Sequence, residues 1–384
     1  MKLLHLLGHN CKWNLDSYFK NEIWDWFILS AYSINEDKIW KSISKHPFNE
    51  IMNISMLDLQ YYGWKWSTWW QLDTYKFHPI HTNETMLDAI ALIIQWIDYQ
   101  ISKWFKNIII PHAYYNITSS QKIIDIINAV NKNLEKKTWY KYYMTLPISN
   151  DALWNKEFLD ELLLNLTDQN IKFDWYYIVC EAKPWTRKKI NDNFLYYNWL
   201  YRVLNILKSQ NFELIYAYAN FDALIFYSLL DIDFISIWTY ENLRNFDIKR
   251  FIEEQSWWPS DWWYFSEKLL NMVKANQIDN LRLNKWLDII RNENNIFSDE
   301  VLTDWFIWNT HKPSLHKNYL LSISKLFKKL WDIENLKDRK NSMIEHINTA
   351  RNRYKDLEER GIYLMDESWD YFLWTWLSFL KSVK

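Results

Sequence analysis

The chain has 384 residues, enough for one large core or two modest ones, and its 49% hydrophobic and 24% charged fractions are those of a folded protein. With 45 Lys+Arg against 47 Asp+Glu, the net charge of −2 excludes a uniformly basic nucleic-acid coat, though a local basic patch leaves nucleic acid open as a partner. Two cysteines, Cys11 and Cys180, exclude a disulfide framework or Cys-rich zinc cluster within the chain, and no run of 18 apolar residues offers a membrane span.

In chain order, Met1 to Leu7 is a short apolar run with one Lys that gives way to Gly8-His9-Asn10, too short and polar for a signal peptide. The sequence therefore reads as soluble and cytoplasmic, with residues 1–25 as an N-terminal segment. β-like runs then recur at 26–32, 51–57, 107–111, 140–146, 175–180, 213–218 and 233–237, with a weaker one at 262–265. They are aromatic and β-branched and apolar on both faces, as buried parallel strands require. Amphipathic stretches at 85–103, 119–134, 155–165, 193–209 and 222–230 separate them. Alternation of this kind predicts an α/β fold, a (β/α)8 TIM barrel over 26–266, and the span fits the roughly 250 residues usual for one. A doubly wound open sheet is the alternative. From residue 267 the pattern is helical, at 267–291, 314–330 and 332–360, with Arg360-Gly361 as a stop. Residues 267–384 are expected to form a C-terminal helical appendage packed on the barrel.

Barrel function sits at the C-terminal ends of strands. The polar residues expected there include Ser30, Tyr32, His112, Tyr114, Thr145, Ser149, Tyr218, Tyr264 and Ser266. Asp58 and Glu181 each end an apolar strand, where burial raises a carboxyl pKa, and form the candidate catalytic pair. Gln60, Tyr61, Lys183, Asn220, Thr239, Asn242 and Arg244 are the candidate ligand-binding residues, with Lys183 and Arg244 as possible cations for the acids. The 63–70 loop is read as a substrate-covering lid. His78 and His81 flank Pro79 and lack a third ligand, so no metal is expected, and no motif implies a cofactor. Arg187-Lys188-Lys189 and Lys249-Arg250 read as solvated faces.

The chain holds 27 tryptophans and only 3 glycines. An average chain of this length has roughly 27 glycines, at about 7%. Many tryptophans stand in turn-like contexts, as in Gly63-Trp64-Lys65-Trp66-Ser67-Thr68-Trp69-Trp70 and Ser256-Trp257-Trp258-Pro259-Ser260-Asp261-Trp262-Trp263. The arithmetic predicts UGA codons translated as Trp in a chain whose own code reads them as Gly, and with it exposed or positive-φ tryptophans in these loops. The alternative is a truly Trp-rich binder of carbohydrate or aromatic ligands. If Trp238 is glycine, Trp238-Thr239 becomes a Gly-Thr turn whose N–H groups face an anion.

Met56-Leu57-Asp58-Leu59-Gln60-Tyr61-Tyr62, Ile178-Val179-Cys180-Glu181, Tyr218-Ala219-Asn220 and Trp238-Thr239-Tyr240-Glu241-Asn242-Leu243-Arg244-Asn245-Phe246 resemble a group of barrel proteins over residues 20–270. That group is distantly similar to tRNA-guanine transglycosylases and related base-exchange enzymes. The resemblance implies a barrel that exchanges a base at a ribose carbon through an aspartate nucleophile and a second acid. The family's Cys-rich zinc motif is absent from this sequence. Residues and resemblance together lead us to expect a small-molecule or nucleotide substrate, or another phosphorylated ligand, and glycosyl transfer or base exchange. Glycoside hydrolysis by the carboxylate pair is the second expectation. A non-catalytic barrel scaffold that binds a partner is the third.

Overall fold

Short runs of buried aliphatic and aromatic residues form one parallel sheet: β1 (Lys2–Leu7), β2 (Trp26–Ser30), β3 (Ser55–Asp58), β4 (Asn107–Ile110), β5 (Lys141–Ile148), β6 (Trp175–Cys180), β7 (Glu213–Ala219) and β8 (Phe234–Trp238). Their order, β3-β2-β1-β8-β7-β6-β5-β4, rolls them into a nearly closed (β/α)8 TIM barrel. This computed structural model describes residues 1–7, 11–31, 36–62, 86–116, 121–182, 189–239, 244–249, 262–309 and 312–384. Between the strands lie α1 (Cys11–Asn21), α2 (Glu36–Ile43), α3 (Phe48–Asn53), α4 (Met86–Ser102), α5 (Gln121–Asn133), α6 (Asn150–Trp154), α7 (Lys156–Leu166), α8 (Phe194–Ser209) and α9 (Ala223–Tyr227).

Register fixes which side chains point inward. Lys2 pairs with Phe234, Leu4 with Trp26 and Tyr143 with Trp175. The Tyr143 and Phe234 rings meet at 6.3 Å although β5 and β8 are not neighbours in the sheet, so this set faces the barrel interior. At the N-terminal end Tyr143 stacks on Trp175 at 4.7 Å, while Lys2 and Lys141 lie over Trp26 and Trp175, each at 4.3 Å. Aromatic rings lidded by ammonium groups thus plug that end.

The seam between β3 and β4 carries no ladder. There a side chain replaces the missing strand. Gln100, fully buried on α4, donates from Nε2 to the Ile109 carbonyl at 2.9 Å, and its Oε1 accepts from the Ile109 N–H at 3.1 Å. The amide imitates a peptide group and satisfies an edge that water cannot reach.

Three expectations are corrected. Residues 2–7 form a central strand between β2 and β8, so the barrel begins well before residue 26. Residues 51–53 end helix α3, and only Ser55–Asp58 is strand; Ile51 and Met52 are buried as one side of a helical turn. The run at 262–265 lies outside the barrel: β9 (Trp263–Ser266) pairs antiparallel with β10 (Asn271–Lys274), inside a stretch expected to be helical.

The chain divides into two units. One comprises Met1–Lys183, Asn198–Asn220 and Ile232–Gln255; the other comprises Pro184–Tyr197, Phe221–Asp231 and Ser256–Lys384. The second unit holds α9, β9, β10 and the helices α10 (Ala275–Leu283), α11 (Ile296–Val301), α12 (Pro313–Trp331), α13 (Leu336–Glu359) and α14 (Leu373–Ser382). Its core mixes rings with a polar knot. Phe221 packs on Phe265 at 5.1 Å, and the two hydrogens of the Asn292 amide are shared among the Phe265 carbonyl at 2.8 Å, Asn318 Oδ1 at 3.0 Å and Ser322 Oγ at 2.9 Å. No helix among the described residues is long and apolar enough to cross a membrane.

Candidate functional site

β3 ends in a buried acid and turns at once. Asp58 Oδ1 accepts the Gln60 N–H at 2.8 Å, which holds Gln60 in a left-handed conformation at φ +57. Asp58 Oδ2 accepts from Tyr62 Oη at 2.7 Å and from Tyr177 Oη, on β6, at 2.9 Å. The Tyr62 proton is committed to Asp58, so in the 2.5 Å contact between Tyr62 and Tyr218 it is Tyr218 that donates. Tyr218 Oη in turn accepts from Gln60 Nε2 at 2.5 Å, and Gln60 Oε1 accepts from Ser30 Oγ at 2.5 Å. Amide and hydroxyl donors are therefore oriented in series toward one carboxyl.

Burial pushes the Asp58 carboxyl up to about 6, against the hydrogen bonds from Tyr62, the Gln60 N–H and Tyr177 that favour its charge. Burial, followed by the charge of Asp58, holds Tyr62 and Tyr177 well above the usual phenol range, so both remain donors. Tyr218 sits at φ +54 and Asn245, whose N–H donates to the Tyr218 carbonyl at 2.8 Å, at φ +62. Left-handed backbone at a bulky residue is costly and collects at functional sites.

The second acid is built in a similar way. Glu181 follows β6 and is fully buried. Its Oε2 accepts from Tyr114 Oη at 2.8 Å and from the Asn150 N–H, at the start of α6, at 3.1 Å. Burial and the Glu181 charge raise the Tyr114 phenol. Phe246 links the two acids. Its ring lies 5.2 Å from Tyr62, 5.3 Å from Tyr218 and 6.1 Å from Tyr114, and its carbonyl accepts the Ala182 N–H at 3.0 Å. Asp58, Gln60 and Glu181 thus share one aromatic surround at the C-terminal end of the barrel.

Arg244 and Thr239 are engaged differently. Arg244 Nε donates to the Trp238 carbonyl at 3.1 Å and Nη2 to the Thr239 carbonyl at 2.8 Å, so the guanidinium caps the end of β8. Thr239 Oγ1 donates to Asn14 Oδ1 at 3.2 Å and accepts from His5 Nε2. Burial, reinforced by Arg244, drives His5 down to about 3. Tyr61 and Asn220 are buried at the ends of β3 and β7. Lys183 and Asn242 lie outside the described residues, as do Tyr32, the 63–70 loop, His78, His81, Arg187 and Lys188. Tyr264 and Ser266, expected at the barrel mouth, instead bond the Ile290 carbonyl in the second unit, at 3.2 and 2.8 Å. His112 bonds the Ala113 and Ile123 carbonyls and Ser149 caps α6, so both hold backbone.

Sequence reasoning missed Tyr177 and Phe246. A signal for Tyr177 existed: alternate residues of a strand share a face, and Tyr177 lies four residues before Glu181. Phe246 carried none, because its place depends on the chain folding back to bridge Glu181. Among the described residues no three His, Cys, Asp or Glu side chains gather to hold a metal ion. No protein-family model matches the chain, and no curated protein gives a significant match.

Proposed function

We propose that the barrel catalyses glycosyl transfer or base exchange on a nucleotide or other phosphorylated sugar ligand, using Asp58 and Glu181. The observation that carries this reading is Asp58: a carboxyl buried at a strand end, raised to about 6, and fixed by two phenols and a backbone N–H. An acid that titrates near neutrality suits proton delivery to a leaving group. Glu181 is then the carboxylate that attacks, or activates the acceptor for attack, at the anomeric carbon. Tyr62, Tyr218, Tyr114 and Phe246 supply aromatic surface for a sugar or base. The likeness to transglycosylases supports the reaction class, but not this division of roles, since it implies an aspartate as the attacking group.

The test is Asp58→Asn and Glu181→Gln against two probes. Labelled guanine offered with bulk tRNA reads base exchange, and aryl glycosides read hydrolysis. Each amide should lower turnover by at least about 100-fold while the circular dichroism spectrum is unchanged. Full turnover in both amides, or no turnover of either probe by the parent chain, rejects the catalytic reading and leaves the scaffold.

A further inference from the structure

The chain leaves α4 through a Schellman turn. The Trp104 N–H donates to the Ile101 carbonyl at 3.0 Å, and the Phe105 N–H to the Gln100 carbonyl at 3.2 Å. Trp104 occupies the left-handed position of that turn, at φ +72. α13 ends in the same pattern: the Gly361 N–H donates to Glu358 at 2.8 Å, the Ile362 N–H to Leu357 at 2.9 Å, and φ at Gly361 is +77. After α8 the equivalent residue is Asn211, at φ +66. Glycine and asparagine are the residues this position favours, and an indole there strains the backbone. Packing does not compensate, since Trp104 is 69% exposed.

A second position misfits for a different reason. Trp238 ends β8, is buried, and its indole N–H has no hydrogen-bond partner among the described residues, a state it shares with Trp24. A buried indole ordinarily finds one. Its ring lies 5.9 Å from Tyr218, beside the Asp58 network. Trp96 differs by its place rather than by its hydrogen bonding: it is mid-helix in α4, fully buried and stacked on Tyr99 at 5.1 Å, where glycine would weaken the helix.

We propose that positions 104 and 238 are encoded by UGA, which the protein's own host reads as glycine, and that glycine at 238 opens the space of one indole beside Tyr218 for ligand at the barrel mouth. Both codes, UGA as Trp and UGA as Gly, occur in nature. The count of 27 tryptophans against 3 glycines points the same way, whereas Trp263, in one of the turn-like runs, is buried in β9 with Lys189 over its ring. The proposal rests on backbone and packing, and it stands or falls independently of the glycosyl-transfer reading.

Peptide sequencing by mass spectrometry of the protein isolated from its host decides the first half. Glycine at both positions is expected; tryptophan at either overturns it. In recombinant protein, Trp104→Gly should raise the thermal midpoint by about 2–4 °C while Trp104→Ala does not. No gain from glycine would show that the turn does not demand it, and would also count against the exchange. For the second half, free indole is the probe. It should bind saturably to the Trp238→Gly chain and not to the parent, and absence of binding to a folded Trp238→Gly chain overturns the opened space.

Discussion

Asp58 is held between two opposed influences, burial that favours the neutral acid and donors that favour the anion, and Tyr177 is the donor that reaches it from across the barrel. Removing that donor with Tyr177→Phe should move the Asp58 midpoint upward from about 6, read by carbonyl NMR on labelled aspartate, at a cost of about 1 kcal/mol in unfolding free energy. An unmoved midpoint would reduce Tyr177 to packing. Sequence made Asp58 and Glu181 legible because an acid at the end of an apolar run is conspicuous. Tyr177 was hidden within Trp175-Tyr176-Tyr177, where three aromatics in a row conceal which one faces inward. Arg244 was legible as a buried cation candidate, but its hydrogen bonds to the Trp238 and Thr239 carbonyls depend on a turn that spacing alone does not draw.

At the scale of elements, β-branched and aromatic runs disclosed most of the barrel, and the 3.6-residue period placed helices such as α5, α7 and α12 within a residue or two. What the pattern lacked was pairing. A four-residue apolar run such as Trp263–Ser266 does not say which sheet it joins, and β10 was masked by the helical spacing that follows it. β1 is a short apolar run that the sequence presents as a terminal segment without a partner; His5 within it is buried and stacks on Trp24 at 4.5 Å. The β3–β4 seam could not be read at all, since Gln100 looks like any polar residue on a helix. Its role can be measured. Gln100→Leu strands a buried N–H and a buried C=O on Ile109, and should lower unfolding free energy by about 2–5 kcal/mol in a denaturant titration. A loss below 1 kcal/mol would mean that β4 finds other partners.

For the molecule as a whole, buried histidines weigh on stability in acid. His5 is lowered to about 3 and His346 to about 4, both chiefly by burial. A histidine depressed in the folded state contributes stability that is complete above its unfolded value, near 6.5, and is lost as pH falls through that window. Asp58 has the opposite sign: its raised pKa lowers stability as pH climbs from about 4 to about 6. We expect the histidines to prevail, so that denaturant midpoints fall on acidification from pH 6.5 toward 4. His5→Phe should flatten that fall, by an amount on the order of 4 kcal/mol by pH 3. An unaltered slope would show that His5 titrates normally.

The placement of β1 between β2 and β8 bears on how the protein is made. Lys2 pairs with Phe234, so the first barrel strand to be made waits for the last, β8, before one of its edges is covered. Throughout that interval Leu3, Leu4, Leu6 and Leu7 flank an open row of amides, the feature that recruits neighbouring chains. Nascent chains halted before β8 are therefore the species most prone to aggregate, and the rate of synthesis across the barrel governs how long each molecule is exposed to that risk.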